Sequence, residues 1–136
     1  MALEVPGVVT VSLEPRLRTV VVRWLRYDDF AVKPALEQQL ALIVQHRLRS
    51  VIVDSQEAVG TYSPAMNRWI GTDFVPRMQG TDVQLLVTVV PRSSLAAMAN
   101  KEWQDSGQQS GMRMAEVGSM SEAERLAREV MDAATV

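Results

Sequence analysis

The chain of 136 residues has no cysteine and a single histidine. Disulfides, thiolate zinc sites, iron–sulfur clusters and cysteine nucleophiles are therefore excluded together. Any transition-metal site would depend on carboxylates, so no metal and no cofactor is expected. Aromatic residues are scarce, at 5%. An excess of positive charge is also missing: the formal net charge is −2, and the 12 Arg and 2 Lys are spread along the chain. Nucleic-acid binding calls for a basic stripe, and none is visible in the linear sequence. No uninterrupted apolar run exceeds five residues, as at 40–44. That is far short of the ~20 needed for a membrane-spanning helix. The start, MALEVPGVV, has neither the basic opening nor the long apolar stretch of a secretion signal. These features predict a cytoplasmic protein without a membrane span.

What is present suits a globular domain. Apolar residues make up 47% and charged residues 22%. One domain over 1–136 is expected, since a chain of this length buries roughly two-thirds of its unfolded surface without a disulfide or metal. Residues 8–13 (VVTVSL) and 18–25 (RTVVVRWL) read as two strands joined by a short turn. From Ala31 to about Leu48 the pattern is helical, with Leu36, Leu40, Ile43 and Val44 on one face. Pro34 fits there only within the first turn. Val51 to Asp54 reads as a buried strand. Ser63 and Pro64 then open a second helix with an apolar stripe of Met66, Ile70 and Phe74, ended by Pro76. Residues 83–90 (VQLLVTVV) read as a central strand covered on both sides. A helix follows Ser93 or Ser94 as far as Trp103, then an edge strand at 112–117. A last helix carries Ala123, Leu126, Ala127, Val130 and Met131 on one face. The order predicts an α/β fold with a mixed, mostly parallel five-stranded sheet and four helices.

Several residues carry the pattern further. These are the strand ending in Asp54, the segment SPAMNRWI with Ser63 and Trp69, the FVP ending at Pro76, the strand at 83–90 and the Ala-rich last helix. Across 18–134 they resemble the SpoIIAA-like branch of the STAS superfamily, a group that includes STAS/SEC14-like proteins. The resemblance implies a small bacterial α/β domain, often dimeric. It also implies a role as an anti-sigma antagonist, a transporter regulatory domain or a carrier of small ligands. The antagonists carry Asp-Ser-Ser-Gly at the start of the helix after the Asp-ending strand, and a kinase phosphorylates one serine. Here Tyr62-Ser63-Pro64-Ala65 stands there, with Pro64 at the phosphorylated position. Pro64 has no hydroxyl, so the phosphoswitch is not expected.

Candidate sites are few. Asp54 lies where α/β sheets place ligands, at a strand's carboxyl end; it also suits simple bonding to loop amides. Ser63 is a phosphorylation site, a ligand contact or a helix cap. Arg92, Ser93 and Ser94 put a cation and hydroxyls at a helix start, an anion site or a plain cap. Trp69 falls at the margin of its helix's apolar face, which suits a pocket, a partner surface or ordinary packing. Asp28 and Asp29 are an acid/base pair, a divalent-cation site or a helix cap. His46, beside Arg47 and Arg49, suits a helix carboxyl end. With no nucleophile–base pair evident, the leading expectation is a noncatalytic regulatory or protein-interaction module. A carrier or sensor of a small apolar ligand comes second, on the strength of eight Met and three Trp. An enzyme of unstated type is third. A homodimer is expected, contacting through the first hairpin if it lies at a sheet edge, or near Trp24, Trp69 or Trp103.

Overall fold

The computed structural model describes residues 3–91 and 112–134. The chain opens with β1 (Leu3–Val5), β2 (Val9–Glu14), a 3-10 turn (Pro15–Leu17) and β3 (Thr19–Trp24). Helix α1 (Asp29–His46) leads to β4 (Ser50–Asp54). A continuous helical stretch follows: α2 (Pro64–Trp69), a π turn (Ile70–Phe74) and α3 (Val75–Gln79). Then come β5 (Leu85–Val89), β6 (Arg113–Val117) and α4 (Met120–Ala134). The strands form one six-stranded sheet in chain order. The first three are antiparallel, and β3 to β6 are parallel.

The sheet therefore has six strands among the described residues, one more than expected. The addition is β1, which pairs with β2 through Leu3↔Val11 and Val5↔Val9. Pro6-Gly7 makes the turn between them. Val8 N–H donates to Val5 C=O at 2.9 Å, and Gly7 takes φ 74, which the turn demands of its third residue. The helix expected at 93–103, with Trp103, lies outside the described residues, as do Arg92, Ser93 and Ser94. The expected hairpin is present as β2 and β3, and β1 covers the outer side of β2 along residues 9–11. Among the described residues the edge strands are β1 and β6, and residues 12–14 of β2 have no strand paired on their outer side, so only part of the hairpin's edge is covered. The central placement of the segment at 83–90 holds: β5 lies between β4 and β6, and every residue from Leu85 to Val89 is buried.

Two prolines depart from expectation. Helix α1 begins at Asp29, because the Asp28 carboxylate accepts from Phe30 N–H at 2.9 Å and caps it. Pro34 therefore lies beyond the first turn, where it removes the donor that Phe30 C=O would otherwise use. Nor does Pro76 end its helix. The preceding turn widens so that Val75 N–H bonds Ile70 C=O five residues back, and the helix runs on to Gln79. In a regular α-helix the Pro76 ring would collide with the carbonyl four residues earlier, and the wider turn stands directly before it.

Two cores cover the two faces. On the first, α1 and the α2–α3 stretch pack with Val20, Val22, Val51, Val53, Leu86 and Met114. On the second, α4 sets Ala123, Leu126 and Ala127 against Ile52, Leu85, Val87 and Val89. The buried side of α1 consists of Ala31, Val32, Ala35, Leu36, Gln39, Leu42 and Ile43. It is rotated from the expected stripe: Leu40 is only partly buried and Val44 is exposed.

Candidate functional site

The four parallel strands end together, and the loops after them build one end of the molecule. Three backbone links tie these loops to one another. Val59 N–H donates to Leu25 C=O at 3.2 Å, Tyr27 N–H donates to Val59 C=O at 2.9 Å, and Ser55 N–H donates to Val89 C=O at 3.2 Å. A fourth link joins α1 to α2: Ser63 N–H donates to Asp29 Oδ1 at 3.0 Å. Ser63 Oγ accepts from Met66 N–H at 3.1 Å, so Ser63 is the cap of α2, with Pro64 in the first helical position. Both its backbone donor and its hydroxyl oxygen are thus engaged. Of the acidic pair, Asp28 caps α1 and Asp29 braces the neighbouring helix.

This end carries exposed apolar side chains. Phe30, in the first turn of α1, is 94% exposed. Leu25 and Val59, joined by the backbone link above, are exposed as well. A large aromatic left in water forgoes ~1.5–3 kcal/mol of burial free energy. Nothing in the sequence marks Phe30, because it falls in the first helical turn, where periodicity does not separate inside from outside.

Asp54 also lies at this end but faces the second side of the sheet. Its Oδ2 is 3.3 Å from Arg23 Nε on the adjacent strand, in register with it. Its Oδ1 accepts from Gln56 N–H at 3.3 Å. The pair is asymmetric: the Asp54 side chain is 6% exposed and that of Arg23 60%. Thr10, Ser12, Val21 and Met120 line the open groove beside them, of about 350 Å³. Ser63 and Trp69 belong to the helices of the first side, so the structure does not bring Asp54 together with them.

Behind the helices of the first side is an apolar cavity of about 30 Å³. Its lining includes Trp24, Gln39, Tyr62, Met78, Met112 and Met114. Trp24 is buried, which removes it as a dimer contact. It meets Tyr27 and Tyr62 edge-on, and those two rings stack at 4.6 Å. Tyr27 OH donates to Ser55 Oγ at 3.1 Å. Burial pushes the Tyr62 phenol well above its ordinary pKa, and nearby Tyr27 and Asp29 add to this. Trp69 is half-buried against this core. It stacks on Phe74 at 6.2 Å and carries Lys33 Nζ 5.2 Å from its ring centre. Gln39 was not legible as a cavity residue, since a glutamine within an apolar stripe reads as a gap in the stripe.

No protein-family model matches the chain, and no curated protein or solved structure matches it either. Among the described residues, no group of three or more His, Asp or Glu is placed to hold a metal. No helix among them is long and apolar enough to cross a membrane. His46 is exposed in the last turn of α1.

Proposed function

We propose that the chain is a noncatalytic regulatory or protein-interaction module of STAS-like type, and that its contact surface is the carboxyl end of the sheet around Phe30. The exposure of Phe30 carries this reading. An aromatic side chain this open to water gains by being covered, and exposed apolar side chains at one end of a molecule, here with Leu25 and Val59 at the same end, suit a contact site. The loops beneath it are cross-braced by backbone bonds, so the surface is presented on a rigid frame. Support for the STAS-like type comes from the α/β sheet and from an Asp-ending strand followed by a capped helix. With Pro64 at the phosphorylated position, contact here works without a serine phosphoswitch.

A second reading, a carrier of a small apolar ligand, is favoured by the methionine-lined cavity. Its present size is well below the ~150 Å³ that admits benzene, so a ligand enters only as the Met side chains move aside.

The test is light scattering over a dilution series, with wild type and Phe30→Ser. Self-association lost in the variant identifies a second copy as the partner. If the wild type is a monomer, a photo-crosslinker at position 30 in native cells should give one dominant heterologous protein adduct. The absence of both self-association and such an adduct would overturn the proposal. A small molecule retained in native mass spectrometry would favour the carrier instead.

A further inference from the structure

The opposite end of the sheet, where the parallel strands begin, gathers arginines that are far apart in sequence. Arg18 follows the Pro15–Leu17 turn, and Arg47 and Arg49 follow α1. Arg49 N–H donates to Arg18 C=O at 2.9 Å. Arg18 Nη2 donates to Arg47 C=O at 3.0 Å. One side chain and one backbone bond thus hold the three residues together.

Two features of this cluster are costly. Arg18 and Arg47 both adopt left-handed backbone conformations, with φ 49 and φ 50. A non-glycine residue there costs ~1–2 kcal/mol. Arg47 occupies the position after a helix where glycine is the usual solution, and its N–H and that of Leu48 both bond Ile43 C=O. The second feature is Arg49 Nε, which is buried with no hydrogen-bond partner. The capping bond accounts for Arg18, but neither the Arg47 nor the Arg49 guanidinium has an ion pair among the described residues. Glu14 accepts from Arg16 N–H, and Asp82 is exposed ahead of Gln84, whose N–H bonds Arg49 C=O. A cation at a helix carboxyl end contributes only ~0.3–1 kcal/mol, less than the left-handed cost at Arg47.

We propose that Arg18, Arg47 and Arg49 form a binding site for a dianionic phosphate monoester. Guanidinium groups present planar pairs of donors that match phosphate oxygens, and a tetrahedral dianion can take up several at once. The Arg18 bond occupies the Arg47 carbonyl just past α1, which lessens that carbonyl's repulsion of an anion. This site lies at the other end of the sheet from the Phe30 surface and does not depend on it.

The test is calorimetric titration of the full chain with glycerol phosphate at constant ionic strength, together with flotation on phosphatidylcholine vesicles with and without phosphatidic acid. Arg47→Gly is the main variant because it removes the cation while relieving the left-handed strain. Its thermal midpoint should equal or exceed that of the wild type, and its affinity should fall ~10-fold, the equivalent of ~1.4 kcal/mol. Arg49→Gln should weaken binding as well; if it fails to fold, Arg47→Gly decides alone. Binding of glycerol phosphate supports a soluble ligand, and flotation confined to phosphatidic acid vesicles supports a lipid headgroup. No saturable uptake of either, or undiminished affinity in Arg47→Gly, overturns the proposal.

Discussion

Replacing Gln39 with methionine probes a polar group set in the middle of an apolar core. Gln39 is 1% exposed and sits on the buried side of α1. Its Nε2 donates to Met78 Sδ at 3.4 Å, a thioether and so a weak acceptor. A buried amide with poor partners costs ~1–3 kcal/mol, and the hydrogen bond given up returns ~0.5 kcal/mol at most for such an acceptor. Methionine keeps the unbranched shape and nearly the volume, so packing changes little. It also places a second sulfur beside Met78, in a cavity already lined by Met112 and Met114. The expected result is a gain of ~1 kcal/mol, or a thermal midpoint ~3–5 °C higher for a domain of this size. Urea unfolding followed by tryptophan fluorescence measures it, with an unchanged slope showing that both end states are preserved. A loss of ~1 kcal/mol or more, the value of a well-made hydrogen bond, would refute the reasoning. It would place a satisfying partner for the amide, such as an ordered water, inside the cavity.

Two further outcomes follow from the geometry. Ser63→Ala should cost ~1 kcal/mol in urea unfolding, because the Met66 N–H loses its capping oxygen, while Ser63→Asp should keep most of it; a neutral alanine variant would deny the capping role. Tyr62 is held neutral by burial in the folded state, so the unfolded chain ionises first as pH rises past ~10. Stability is then complete below that pH and declines above it, and Tyr62→Phe should make the alkaline decline shallower; an unchanged alkaline unfolding curve would contradict the burial.

Much of the architecture was legible because local rules and tertiary packing agree. The β-branched runs became β2, β3, β4 and β5, and the continuous apolar stretch of β5 is central, as strands covered on both faces must be. Ser63-Pro64 opened its helix as capping chemistry predicts. Misreadings arose where one residue has two readings. Pro76 reads as a stop in the sequence, and a π turn absorbs it. Gln39 is polar, and only the packing of Leu36 and Ile43 on either side of it shows that it is inside. Pro6-Gly7 was a turn signal left unused, which cost the first strand.

The sequence by itself determined the alternation of strands and helices, the central strand and the caps, since each depends on neighbours a few residues apart. Only the tertiary structure decided which side chains share a surface. It set Asp54 against Arg23 on one face and Ser63 and Trp69 on the other. It left Phe30 in water, and it drew Arg18, Arg47 and Arg49 to one end of the sheet. Such placements follow from strand order and from the direction in which each helix returns across the sheet, and they depend on contacts between residues tens of positions apart that no local pattern encodes.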